Sequence, residues 1–309
     1  MNTRQHPIAI APGNGPATLF PPVRTTLDRF ATDARRTVDR VRGWRADVVV
    51  PVVVVGLIVL AALVPAVIAP FGPTDLDRAA ILSHPSARHW AGTDHLGRDM
   101  TSLIIFGARQ SLLVALCAVA IGTAGGAALG LASSYGGRLV DAALTRLTEI
   151  WLSIPDLLLV IVLATALTPS IGNVILTIGL VMIPRFARIV RAQVIALKHR
   201  PYVAAARALG ASEGSILVRH VLPHTLSPLL VMATLGVAGA ALMAAMLSFL
   251  GLGVIDDIPD WGYLVSQSRS YLTVAWWMGA FPGAAIIAFV VAVNVLGDRL
   301  RARFDPRSR

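Results

Sequence analysis

Charge is scarce in this chain. Only 14% of its 309 residues are Asp, Glu, Lys or Arg, while 55% are hydrophobic and the mean hydropathy is +0.70. A soluble domain of that length needs more polar side chains to cover its surface, so lipid covers much of this one. Lysine is nearly absent: Lys198 stands alone, followed by His199 and with no glycine-rich turn before it. A phosphate-binding loop needs a lysine at the end of such a turn, followed by Ser or Thr, so a Walker motif is excluded. The single cysteine, Cys117, excludes both a disulfide framework and a cysteine metal cluster. Within its apolar run it reads as a small buried residue.

What charge there is comes almost wholly from arginine, giving a net +10. In a soluble chain that excess points to nucleic acid. Here the arginines sit between long apolar runs, where they hold the chain's orientation against an anionic leaflet. Nucleic acid is therefore not an expected partner; the lipid bilayer is.

A bilayer core of about 30 Å takes about 20 apolar residues per helix. Six stretches meet this need: Val48–Ala69, Ser111–Ser133, Ile150–Leu167, Gly172–Val190, Thr225–Phe249 and Val274–Leu296. The expectation is an all-α polytopic membrane protein with six transmembrane helices. Six spans put both termini on one side. With the termini in the cytoplasm, the outer segments hold only Arg78, Arg88, Arg98, Arg109 and Arg269, and every other basic residue lies inside. Residues 1–47 then form a cytoplasmic tail too long and too polar for a secretory signal. Two readings stand for its arginine-rich part, residues 27–45: a basic amphipathic helix on the membrane surface, or a disordered tail. Residues 48–108 comprise the first span and an outer segment, 109–299 the core, and 300–309 a cytoplasmic C-terminal tail.

Gly122, Gly126 and Gly130 recur every four residues on one face of the second span, a spacing that lets another helix approach closely. Arg185, Arg188 and Arg191 share a face at the end of the fourth span, and snorkelling to lipid phosphates is the expected reading rather than voltage sensing. Asp156, after Pro155, is expected to cap the third span near the inner interface rather than to relay protons.

The inner segment YVAAARALGASEGSILVRHVLPHTLSPLL (202–230) is the most informative. Residues 202–209 favour helix. Gly210 stands where a helix C-terminus takes positive φ. Ser212 can cap a second helix, Glu213 suits its N-terminal end, and Pro223 is expected to end it. Two short helices joined by a glycine bend form either a docking element with a shallow alanine surface or a hairpin lying on lipid.

At these residues the chain resembles a known family. Ala205-Ala206, Gly210 and Leu222-Pro223 are similar to the "EAA" loop of permeases in binding-protein-dependent ATP-binding-cassette importers. HWAGTDHLGRDM (89–100), FGARQSLL (106–113), IWLSIPDLLLVIV (150–162), LSFLGLG (247–253), DWGYL (260–264) and NVLGDRLRARFDPR (294–307) extend the resemblance to the second, C-type permease of the dipeptide, oligopeptide and nickel group. The resemblance implies a type I importer permease fold and import of peptides by alternating access, with nickel or another small solute as the alternative cargo. It also implies location in the inner membrane of a prokaryote. The implied partners are a homologous second permease, two ATPase subunits and an extracytoplasmic binding protein. ATP and magnesium would sit on the ATPases, with no cofactor and no catalytic residue on this chain. It further implies that Tyr202, Ala205, Ala206, Arg207, Gly210, Ala211, Ser212, Leu222 and Pro223 dock on an ATPase. One departure is Ala204, where the family usually has Glu.

Other polar clusters are weighed in the same frame. His84, His89 and His95 lie near Asp94 and Asp99; metal capture would suit the nickel branch, but the expected role of Asp94, Arg98 and Asp99 is to tie the outer segment down by ion pairs and caps. In the family, that segment lies near the docked binding protein. Asp256, Asp257 and Asp260, with Trp261, form an acidic patch that either meets the binding protein or is solvated loop. An intramembrane hydrolase would need paired catalytic residues at depth, and an ion-coupled carrier would need repeats and buried ionisable groups; neither pattern is evident in the sequence.

Overall fold

The computed structural model describes residues 48–253 and 257–304. The N-terminal tail with its surface-helix reading, and Asp256, lie outside them. The regular structure among the described residues is helical, apart from one isolated β-bridge between Thr93 and Asp99. The helices are α1 (Val48–Leu63), α2 (Pro65–Ile68), α3 (Met100–Tyr135), α4 (Gly137–Leu152), α5 (Asp156–Ala166) and α6 (Ile171–Lys198). Then come α7 (Pro201–Ala208), α8 (Glu213–Ile216), α9 (Leu222–Phe249), α10 (Trp261–Ser268) and α11 (Trp277–Phe304).

Four helical segments are long and apolar enough to cross a membrane: α3, α6, the continuous segment Glu213–Phe249, and the segment Trp277–Arg303 of α11. The other two expected spans are reshaped. The first is interrupted at Val64, because Pro65 has no amide hydrogen to donate back along the helix. The third divides at Ser153–Pro155 into α4 and α5, which meet at 91°. Pro155 cannot continue α4, whose last turn closes with Ser153 Oγ donating to the Ile150 carbonyl at 2.6 Å. At 11 residues, α5 rises about 16 Å, about half a bilayer core. The segment before it is not a loop but the 16-residue helix α4, with no buried residue and with Leu139 and Leu147 exposed.

The core forms where α3 meets α6. The glycine face lies against α6, as the four-residue spacing indicates: a Cβ on Gly126 would sit 2.3 Å from the Phe186 Cβ, and one on Gly130 would sit 2.7 Å from the Ala187 carbonyl. Val174, Ile178, Met182 and Phe186 are buried along the same seam. Cys117 is exposed rather than buried, because it lies off this glycine face. α1 is largely exposed, with Val55 and Ile58 packed against the core.

The segment expected to lie outside, residues 70–99, folds as a small cap. Asp94 pairs with Arg98 at 2.7 Å and accepts from the Leu96 and Arg98 amides at 2.8 Å. Asp99 caps α3 by accepting from Ser102 N at 2.8 Å. The tying-down roles expected of these three residues are therefore present. The histidines take separate partners: His89 Nδ1 lies 2.9 Å from Asp99 Oδ1, His84 packs on Trp277, and His95 stacks on Tyr271. Among the described residues no group of three His, Cys, Asp or Glu side chains could hold a metal ion. Asp260 is tied inward rather than set in an acidic patch. It caps α10 through Tyr263 N at 2.8 Å and accepts from Ser248 Oγ at 2.6 Å. Burial raises its carboxyl pKa, and these hydrogen bonds oppose the rise.

Candidate functional site

The candidate site is the knuckle between α6 and α9. Arg200 begins an extended turn and Pro201 opens α7 at a position where the missing amide hydrogen costs nothing. α7 ends at a Schellman motif. The Gly210 amide donates to the Arg207 carbonyl at 3.0 Å, and the Ala211 amide donates to the Ala206 carbonyl at 3.1 Å. This geometry requires φ of +84° at Gly210, which glycine adopts at no steric cost and β-branched residues do not. Ser212 then caps α8 by accepting from Ser215 N at 3.4 Å, and Arg207 reaches across the bend to Glu213 at 2.7 Å. Both charged side chains are about half exposed, so solvent screening leaves this pair little to add to stability.

Pro223 does not end the second helix. The helix passes through a π-helical turn, Leu217–Val221, into α9, with the Leu222 amide donating to the Leu217 carbonyl. Pro223 falls within the first two residues of α9, where a missing amide hydrogen is tolerated. The knuckle is thus the bent end of a long helix rather than a separate hairpin.

The knuckle is anchored on one side only. Val203, Ile216 and Val221 are fully buried and Ala206 packs partly against the core. Tyr202 lies against His220 and His224, with ring centroids 6.4 and 5.8 Å away. Lys198, at the root, sits 3.6 Å above the Tyr135 ring and donates to the Ser134 carbonyl, fastening the end of α6 to the end of α3. On the other side Ala204, Ala205, Ala208 and Leu209 are exposed, spaced so that 204 and 208, and 205 and 209, lie one turn apart. Leu209 is 89% exposed, the most exposed large apolar side chain among the described residues.

Of the nine residues expected to dock, Tyr202, Ala205, Arg207, Gly210, Ser212 and Pro223 are exposed. Ala206, Ala211 and Leu222 are half-buried and support the bend. Leu209 and Ala208 were not among the nine. Their signal is position, since the two residues before a C-terminal glycine lie at the tip of the turn. Ala204 continues the small apolar stripe in place of a carboxylate.

The arginines of α6 are also placed differently from expectation. Arg191 makes a two-point contact with Asp141 of α4, at 2.6 and 2.7 Å, and Arg185 pairs with Asp156 of α5. Both therefore have carboxylate partners within the subunit. Asp156 occupies the first turn of α5 without capping it, since the N-cap position belongs to Pro155. α6 continues to Lys198, so Arg185 lies midway along it rather than at its last turns.

Residues 122–309 match the family described as binding-protein-dependent transport system inner membrane component. The chain is 40% identical to a dipeptide transport system permease protein of Alkalihalophilus pseudofirmus, over 83% of this chain and 86% of that one. It is 41% identical to a probable D,D-dipeptide transport system permease protein of Escherichia coli, over the same shares. In fold it is similar to a chain of the MetNI methionine ABC transporter in an inward-facing conformation. That match has a TM-score of 0.56 at 20% identity and covers 67% of this chain and 98% of that one. A type I importer permease fold follows, and the family is one of transport permeases. The chain belongs to the inner-membrane components of binding-protein-dependent transport systems.

Proposed function

We propose that this chain is one of two permease subunits of an ATP-driven peptide importer, and that the α7–α8 knuckle is its ATPase-docking element. Relatives at about 40% identity are named for dipeptide transport, which favours di- and oligopeptides as cargo. The observation that carries the docking role is the one-sided anchoring: a buried root at Val203, Ile216 and Val221 beneath an exposed stripe of Ala204, Ala205, Ala208 and Leu209. A small, shallow apolar helix face of this kind suits a groove on a partner.

In this reading both termini are cytoplasmic and residues 109–299 form the core, with the first span packed outside it. A homologous permease completes the path, two separate ATPases grip the knuckles, and a binding protein delivers solute from outside. Closure of the ATPases biases two packed states of the bundle, and the knuckle passes that bias to α6 and α9, to which it is continuous.

The test is Gly210→Val in the reconstituted complex. Nothing lies within 4 Å of a Cβ at Gly210, so the effect comes from the backbone alone. A β-branched residue at φ of +84° strains the bend, whereas Gly210→Asn tolerates that region. Uptake is expected to fall at least tenfold in the valine variant with the protein still inserted, and to be largely kept in the asparagine variant. Normal uptake by Gly210→Val would refute the docking role.

A further inference from the structure

Asp156 opens α5, and its partner Arg185 lies 29 positions later in sequence. Arg185 stands midway along α6, with about 20 Å of helix on either side. The Arg185 side chain is 53% exposed and that of Asp156 30%, so the pair lies on an outer face of this subunit. Charged groups within a membrane-spanning helix are costly against hydrocarbon and face bundle interiors or water-filled cavities instead. A cavity of about 250 Å³ opens beside the pair, walled by Met182, Met232, Met243, Gly236 and Gly239. Three thioethers give this wall an adaptable apolar surface, and the glycines keep it open. The volume is just under the roughly 300 Å³ at which pockets for drug-sized ligands begin, which suits a small solute.

We infer that Asp156 and Arg185 form a station for zwitterionic solutes on the translocation path, with the methionine wall holding whatever side chains lie between the charged ends. The guanidinium offers two parallel donors to a carboxylate, and the carboxylate of Asp156 accepts from an ammonium. When no solute is present the two groups are in direct contact and neutralise each other at the cavity wall, and a solute entering must part them. A short peptide with free ends replaces each partner with an equivalent charge, so entry leaves no charge uncompensated. The inference rests on the importer reading and adds to it the solute chemistry that this subunit recognises.

The test uses the complete reconstituted complex, with both permeases, the ATPases and the binding protein, and dialanine as solute. Asp156→Asn/Arg185→Gln removes both charges, and Asp156→Arg/Arg185→Asp keeps an ion pair but reverses its direction. Both variants are expected to lose dialanine uptake at least tenfold while ATPase stimulation by the loaded binding protein stays within twofold of the parent. In a Cys117→Ala background, Gly239→Cys adds a side chain where nothing lies within 4 Å. It is expected to react with a cationic, membrane-impermeant methanethiosulfonate. Uptake restored by the reversed pair would make it a structural clamp and overturn the inference, as would reaction of Gly239→Cys with a membrane-permeant maleimide only, or with neither reagent. Absence of dialanine uptake by the parent complex would overturn the importer reading itself; uptake by the parent and by both variants alike overturns the station alone.

Discussion

The indole Nε1 of Trp277, the first residue of α11, donates to the Thr93 carbonyl at 3.0 Å. It joins the cap of residues 70–99 to the last long apolar helix across 184 positions of sequence. Gly92 lies directly under this ring with φ of +72°, and a Cβ there would come within 2.6 Å of the indole nitrogen. Gly92→Ala therefore meets both a strained backbone and a buried ring. Trp277→Phe removes only the donor and leaves the Thr93 carbonyl short of one partner. The alanine variant is expected to cost about 1–3 kcal/mol and the phenylalanine variant about 1 kcal/mol. Thermal unfolding of the detergent-solubilised chain, followed by near-ultraviolet circular dichroism, checks the order.

The seam of α3 and α6 gives a sharper expectation. Gly126 admits no side chain, because the Phe186 Cβ occupies its place at 2.3 Å and the Ala187 amide nitrogen lies at 2.9 Å. Gly239 on α9 has nothing within 4 Å. Gly126→Ala is expected to lower stability by about 1–3 kcal/mol through overpacking. Gly239→Ala is expected to be neutral or slightly stabilising, through higher helix propensity. Equal thermal midpoints for the two variants would contradict the packing described for this seam.

Arg191 and Asp141 fix α4 against α6 by a two-point contact. Each side chain is about one-third exposed, so solvent screening limits the pair to about 1 kcal/mol. Asp141→Asn should loosen α4 and speed proteolysis or labelling at its exposed face several-fold. The reversed pair Asp141→Arg/Arg191→Asp should recover part of that protection. Hydrogen exchange of the α4 amides measures both.

Asp260 caps α10 and accepts from Ser248 Oγ. Asn is as good a cap as Asp, whereas Ala is not. Because burial already raises the Asp260 carboxyl pKa, neutralising it removes a desolvation cost. Asp260→Asn is therefore expected to leave stability within about 0.5 kcal/mol, and Asp260→Ala to lower it by about 1 kcal/mol. Thermal midpoints of the two variants check this.

The features readable from sequence were those set by local or periodic rules. Apolar runs marked the long helices, the four-residue spacing of Gly122, Gly126 and Gly130 marked the tight seam, and Gly210 marked the bend. Rules that act through tertiary context were not readable. Pro223 is a helix breaker locally, yet a π-helical turn carries it inside a continuous helix. Asp156 and Arg185 looked like separate end residues, because pairing across 29 positions depends on how α5 turns after its 91° bend. The apolar content of residues 150–167 counted as a full span, since hydropathy carries no information about direction. Leu209 was absorbed into a helix that was correctly placed, and only the bend shows that its side chain points away from the protein.

Cross-linking from Leu209 tests the central claim most directly. In a Cys117→Ala background, Leu209→Cys in the assembled complex carries a thiol at the tip of the knuckle. A short bifunctional reagent is expected to join it to an ATPase subunit, with the yield changing when ATP is bound. No adduct with the ATPase, or modification of Leu209→Cys only by an impermeant reagent added outside the cell, would contradict a knuckle that transmits the power of another subunit.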